Sequence, residues 1–179
     1  YLRGIAKRQL KDYQGEIADY SKAIEINPNN ANFYFYRASS RSTLKDYSGA
    51  ITDYSKAIEI NPRLSSAYHN RGASKQALNQ HKIAIDDFDK AIELEEYSSI
   101  LYHYYNNRAW SKYKIGKLKE ALVDSDSSIE LNQEYKNSFH TRGLIKHDLG
   151  DIKGACSDLQ KASELGDTVS APWVREDCS

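Results

Sequence analysis

The sequence predicts an all-α solenoid of stacked helical hairpins, closed by a short C-terminal helix. Two observations carry this. First, the eighteen residues Lys11–Pro28 (KDYQGEIADYSKAIEINP) return 34 positions later, with three changes, as Lys45–Pro62 (KDYSGAITDYSKAIEINP). A 34-residue period holding two helical patterns marks repeated helix–turn–helix units. Second, small residues keep that period along the chain. Gly4, Ala38, Gly72, Ala109 and Gly143 fall in the first helix of each unit. Ala50, Ala84, Ala121 and Ala155 fall early in the second, where Glu16 breaks the column, and Ala23, Ala57, Ala91, Ser128 and Ala162 fall later. Small residues in facing positions let two helix axes approach to roughly 8–10 Å. No unit can bury its apolar face alone, so the units must stack.

Composition narrows the function classes. The 179 residues carry no net charge, and 28% are charged. A nucleic-acid sleeve needs a basic stripe to displace counterions, and a polybasic membrane patch needs clustered cations; neither fits. No apolar run approaches the roughly 20 residues of a membrane-spanning helix. Tyrosine is abundant, at 14 residues, and suits thin, half-exposed helical layers because its ring packs while its hydroxyl stays solvated. Tyr1 falls inside a helical pattern, and the expectation is a fragment of a longer chain. No Gly-rich phosphate loop, HExxH or nucleophile elbow is present, so the expectation is a protein that is not an enzyme and needs no cofactor or metal.

Taken in order, Leu10, Leu44, Leu78, Ile115 and Leu149 are expected to close each first helix and fill the space between helices, with Tyr13, Tyr47, His81, Leu118 and Ile152 opening each second helix. Pro28 and Pro62 separate units, since proline stops a helix. Near Glu96–Leu101 the third unit is about three residues longer than the period, roughly one helical turn. An extended next helix is expected there, with Ser98 or Ser99 as its N-cap. In the tail, Ser170 is expected to cap a last helix, Pro172 to sit in its first turn, and Trp173 to cover the open end of the stack.

With these columns the chain resembles the tetratricopeptide repeat (TPR) proteins, in particular those of bacteria. The resemblance implies a right-handed superhelix of five repeats: a first lacking its start (1–30), then 31–64, 65–101 with a short insertion, 102–135 and 136–169, followed by the capping tail 170–179. It also implies a non-catalytic scaffold that binds a peptide or protein segment in a concave groove lined by the first helices. Self-association, through an open end or the Tyr102–Tyr105 patch, and a purely structural spacer are the alternatives.

Carried over by helical phase, the groove residues are Asn32, Phe35, Tyr36 and Ser39 in the second repeat. The third offers Ser66, His69, Asn70, Ala73 and Gln76, and the fourth His103, Asn106, Asn107, Trp110 and Tyr113. The fifth offers Asn137, His140, Leu144 and His147. Asparagine amides grip a peptide backbone with paired donor and acceptor, and rings add contact area at low entropic cost. The cluster of Lys, Asn and Arg with which chaperone-adaptor TPRs hold a C-terminal carboxylate is missing its basic members, since Phe35, Asn70, His103 and Asn107 stand in the matching places. His140 and His147 lie two turns apart, not at the one-turn spacing of a helical metal site, and an imidazole-gated groove stays open beside plain surface hydrogen bonding.

One column departs from the commonest TPR pattern. Arg3, Arg37, Arg71, Arg108 and Arg142 each precede, by 16 residues, Asp19, Asp53, Asp87, Asp124 and Asp158. The two helices of a hairpin then supply a guanidinium and a carboxylate, and the expectation is a structural ion pair between them. Arginines facing an acidic partner are the alternative. Lys7, Arg41, Lys75, Lys112 and Lys146, one turn later, read as a solvated edge. Cys156 and Cys178 are two reduced thiols or a disulfide closing about 22 residues, which pins the tail and favours an exported protein; the pattern resembles the end of many bacterial TPR proteins.

Overall fold

The structure, a computed structural model, describes residues 12–170, 172 and 178. Tyr1, Arg3, Gly4, Lys7, Leu10 and Trp173 lie outside the described residues, and with them the first guanidinium of the column and the expected lid. Nine helices and no strand occur among the described residues: α1 (Tyr13–Ile26), α2 (Ala31–Thr43), α3 (Tyr47–Ile60), α4 (Ser65–Ala77), α5 (His81–Leu94), α6 (Ser98–Lys114), α7 (Leu118–Leu131), α8 (Lys136–Asp148) and α9 (Ile152–Glu164). None is long and apolar enough to cross a membrane. The chain divides into two compact units, Tyr1–Leu94 and Glu95–Ser179. In the first, α1 packs on α2, α2 on α3, α3 on α4 and α4 on α5. In the second, α6 packs on α7, α7 on α8 and α8 on α9, and α6 also reaches α8.

Local chemistry sets the helix ends. Asp12, Asp46 and Asp151 each accept a hydrogen bond from the backbone N–H three residues on, at Gly15, Gly49 and Gly154, which satisfies one of the orphan donors of a first turn. A Cβ on Gly49 or Gly154 would run into the capping carboxylate. After α2, α4, α6 and α8 the chain turns through a left-handed residue: Lys45, Asn79, Gly116 and Gly150. The α6 helix is 17 residues against 13 for α4 and α8. Its N-cap is Tyr97 and it has no side-chain cap, so neither Ser98 nor Ser99 plays that part; both are already helical.

The core alternates large and small. Tyr20, Tyr54, Phe88 and Leu159 on the second helices are fully buried, in a column whose fourth member is the buried Ser125. The small first-helix column makes room for them. A Cβ on Gly72 would come 2.8 Å from the Phe88 ring, and one on Gly143 would come 2.8 Å from Leu159. The large residues that were expected to fill the interhelical space do not. Leu44, Leu78, Ile115 and Leu149 are 37–40% exposed, because the turn that follows each of them places its side chain at the rim.

Between the helices of each hairpin runs a repeated ion cluster. Arg37 donates from Nε and Nη2 to the two oxygens of Asp53 at 2.8 and 2.7 Å. Arg71 does the same to Asp87 (3.0 and 2.6 Å), Arg108 to Asp124 and Arg142 to Asp158 (2.8 and 2.6 Å each). These are fork-on-fork pairs, the strongest geometry for the two groups. Each guanidinium also lies 5.4–5.7 Å from the ring centroid of Tyr34, Tyr68, Tyr105 or Phe139, a cation–π distance. Arg37 and Arg142 hold their protons more firmly than free guanidinium, chiefly through the hydrogen bonds to Asp53 and Asp158.

The supposed solvated edge belongs to the same cluster. Arg41 approaches Asp53 at 3.0 Å, and Lys75, Lys112 and Lys146 approach Asp87, Asp124 and Asp158 at 2.8 Å. Residues one turn apart share a helix face, so the two cations meet one carboxylate. The remaining arginine nitrogen reaches back to the preceding second helix. Arg37 Nη1 donates to Ser21, Arg71 Nη1 to Ser55 and Arg142 Nη1 to Asp126.

Cys156 in α9 is bonded to Cys178 in a disulfide, which ties the segment after α9 back onto that helix.

Because Asp87 is held by two cations, the column responds unevenly to substitution. Asp87→Leu is expected to cost about 3 kcal/mol, the scale for orphaning charges at a buried seam. Arg71→Leu is expected to cost only about 1 kcal/mol, since Lys75 still neutralises the carboxylate. Urea unfolding of both variants checks the order, and equal losses refute it. Cys178→Ser is expected to lower stability by on the order of 3 kcal/mol through release of the closed loop, with the difference from the parent protein vanishing in reductant. Mass spectrometry after alkylation without reduction should find no free thiol.

Candidate functional site

A pocket of about 270 Å³ opens in the second unit, lined by Asn106, Asn107 and Trp110 of α6, Asn137, His140 and Thr141 of α8, and Asp167 and Val169 of the segment after α9. Five of these eight residues stand among the groove positions expected from the resemblance. Asn106, Asn107 and Trp110 fall on one face of α6 by their three- and four-residue spacing, as do Asn137, His140 and Thr141 on α8. The short α6–α7–α8 path brings the two faces together, because α6 packs directly on α8.

The hydrogen-bond directions in this pocket can be worked out. Ser170 donates its hydroxyl proton to Asp167 Oδ2 at 2.5 Å. His140 Nδ1 lies 2.8 Å from the same hydroxyl and 3.1 Å from Asp167 Oδ2. The serine has one proton and has given it to the carboxylate, so Nδ1–H must be the donor to Ser170. In the neutral ring, Nε2 therefore carries the lone pair. Burial pushes the Asp167 carboxyl up, but the Ser170 hydrogen bonds and the facing His140 outweigh it, and the net value lies below the ordinary carboxylate range. Asn137 donates its amide to Tyr135 Oη at 3.0 Å, which leaves its carbonyl oxygen as the acceptor. Asn106 is 6% exposed. Its Oδ1 is buried and has no hydrogen-bond partner.

Ser170, His140 and Asp167 are the residue types of a hydrolytic triad, but not its geometry. A triad places the acid on one imidazole nitrogen and the serine on the other, whereas here both meet Nδ1. Ser170 is, moreover, fully buried. The cluster is a strut. Asp167 also accepts from the backbone N–H of Ser170, so it, rather than Ser170 as expected, caps the turn that starts there. The Asp-x-x-Ser spacing, parallel to the Asp-x-x-Gly caps, was the sequence signal for it. Thr141 and Val169 had no such signal.

The other expected groove residues are placed differently. Phe35 is half-buried and packs on the cluster of Ala38, Ala50, Tyr54 and Ala67. Tyr36 stacks on Tyr20 with ring centroids 5.6 Å apart, and Asn32 is exposed. His69 Nδ1 lies 3.1 Å from Asn70 Oδ1, and its ring meets Phe88. His103 sits between Tyr102 and Tyr135, at 4.0 and 4.7 Å between centroids. Tyr113 packs on Trp110, and burial together with a hydrogen bond to Asp148 pushes its hydroxyl pKa up. His147 Nδ1 lies 3.1 Å from Asp148. No group of three or more metal-ligating side chains forms among the described residues.

Burial holds the His103 imidazole below its ordinary value of 6.5. As pH falls through that value the unfolded chain takes up the proton before the folded one, so stability should fall between pH 7.5 and the depressed folded value. Melting temperatures at pH 7.5 and 5.5 check this. His103→Phe, which keeps a ring between the tyrosines, is expected to shrink the difference, and an unchanged difference refutes the assignment.

Comparison with known proteins supplies the family. Tetratricopeptide repeat models match residues 1–30, 20–52 and 65–97, and a TPR repeat model matches 43–79. No curated protein matches in sequence. Among solved structures the chain is similar to YrrB, described as a TPR protein with an unusual peptide-binding site, at 20% identity and a TM-score of 0.80, covering 97% of this chain and 88% of that one. It is similar to MamA from Desulfovibrio magneticus RS-1 at 18% identity and a TM-score of 0.81, covering 91% and 92%. It is also similar to Pseudomonas aeruginosa PilF at 17% identity and a TM-score of 0.83, covering 93% and 75%. The four overlapping repeat matches, the all-helical hairpins and these neighbours agree: the chain belongs to the tetratricopeptide repeat family.

Proposed function

We propose that the chain is a non-catalytic scaffold that holds a peptide or protein segment, with the pocket between α6 and α8 as an anchor point. TPR proteins are protein–protein interaction modules, and one structural neighbour, YrrB, is described by its peptide-binding site. The observation that carries the reading is the wall of the pocket: three asparagines and an indole, with one buried amide oxygen left without a partner. A buried polar group without a hydrogen bond costs about 1–3 kcal/mol, and a binding surface is where such a cost is recovered. Asparagine offers donor and acceptor together, which matches the paired C=O and N–H of an extended backbone. Trp110 adds contact area, as aromatic anchors do in binding hot spots.

Selection of displayed random peptides on the full chain tests this. Trp110→Ala and Asn107→Ala are expected each to weaken the selected peptides by about tenfold or more, the scale of a hot-spot loss above 1.4 kcal/mol, with melting temperature little changed. Peptides that bind both variants as well as the parent, or a selection that yields none, would instead fit a spacer.

A further inference from the structure

We infer that the pocket beside Trp110 takes a cationic side chain of the bound segment, the guanidinium of arginine or the ammonium of lysine. The inference rests on the groove reading above and adds its chemistry.

Three side chains of this pocket have an acceptor to offer an occupant. Asn106 Oδ1 is buried without a partner. Asn137 donates one amide proton to Tyr135 Oη, and its carbonyl oxygen can accept. His140 has committed Nδ1–H to the Ser170–Asp167 strut, so in the neutral ring its second nitrogen carries the lone pair. Among the described residues of the lining Asp167 brings the one formal charge, and it is negative; none of them is a lysine or arginine. Four nearby cations are engaged elsewhere. Lys112 is on Asp124, Arg142 and Lys146 are on Asp158, and Lys136 donates to the carbonyl of Gly166.

An anionic occupant would meet the Asp167 carboxylate, whereas a donor-rich cation would meet acceptors on both walls. Guanidinium presents five N–H donors and no acceptor. Its plane also suits an indole face. Trp110 already draws one cation, since Lys114 Nζ lies 4.9 Å from its ring centroid. The terminal torsion of asparagine is broad, so Asn106 can turn its oxygen toward an occupant. At about 270 Å³ the pocket is below the 300–1,000 Å³ of small-molecule sites, which fits a single side chain projecting from a longer ligand.

The test uses the full chain and blocked amino acids: N-acetyl-arginine methylamide, with the norleucine and glutamate counterparts. Each is titrated while the Trp110 indole and Asn106 amide resonances are followed. The arginine probe is expected to shift both resonances and to bind about tenfold more tightly than norleucine, with glutamate weaker still. Asn106→Leu is expected to leave melting temperature unchanged or raise it, because it removes an orphaned acceptor, yet to lower arginine affinity about tenfold. Asp167→Asn should weaken arginine binding as well. Glutamate binding on a par with arginine, or arginine affinity unaltered by Asn106→Leu and Asp167→Asn together, overturns the inference. Displayed peptides separate it from the groove reading. Selected segments that depend on Trp110 but tolerate norleucine at every basic position overturn the cation pocket and leave the groove reading standing. A library without any Trp110-dependent binder overturns both.

Discussion

The aspartate clamped by two cations is the constraint on which each hairpin depends. Asp53, Asp87, Asp124 and Asp158 are all nearly buried, and each is met by a bidentate arginine and by a second basic residue one turn further along the same first helix. A lone carboxylate at that depth would carry a heavy desolvation cost, and even one good ion pair recovers only part of it. Two cations, one of them a planar fork, satisfy both oxygens. The arginine's remaining nitrogen then joins the hairpin to the second helix before it, through Ser21, Ser55 or Asp126. The cluster therefore fixes two relations: first helix to second within a hairpin, and hairpin to its predecessor within a unit. Alanine and serine dominate the close contacts of these layers, with few large apolar residues per hairpin, so apolar area alone specifies register weakly. Polar contacts of fixed geometry supply that specificity.

Residues that keep the 34-residue period were legible in the sequence, because a repeat shows the same physical requirement several times. The small columns are of this kind: Gly72 and Gly143 are small where Phe88 and Leu159 press against them. The arginine and aspartate columns are too. The second cation was visible as a column but not as a partner. One-turn spacing says that Arg71 and Lys75 share a face, and says nothing of how far that face is buried. Leu44, Leu78, Ile115 and Leu149 misled for a related reason. Their regular hydrophobicity suggested a core, but each lies at the rim beside a left-handed turn. Helix starts at irregular places, such as Tyr97 before α6, have no repeat to reveal them.

The candidate site was legible by halves. Helical phase placed Asn106, Asn107, Trp110, Asn137 and His140 on the faces that meet. It did not indicate that Asn106 is buried, or that Phe35 and Tyr36 are engaged with Tyr54 and Tyr20 in their own unit. Asp167 and Val169 come from the segment after α9, which does not follow the period, and the sequence reading gave the capping role there to Ser170 instead. That segment is held by two devices of different kinds, the Asp167–Ser170–His140 strut and the Cys156–Cys178 bridge.

The charge of the pocket follows from the architecture of the hairpins. First helices α6 and α8 carry Arg108, Lys112, Arg142 and Lys146, enough positive charge to make a basic groove. All four are drawn to the opposite side of their helices by Asp124 and Asp158. What remains on the faces that meet is amide, imidazole and indole, with the Lys114 ammonium 4.9 Å from the Trp110 ring centroid at one end. Among the described residues of the lining one carboxylate carries the formal charge, and a low-dielectric cleft magnifies its field. Asp167 is that carboxylate, kept ionised by the same hydrogen bonds that make it a helix cap. One carboxylate thus serves both as a cap after α9 and as the negative charge of the pocket lining.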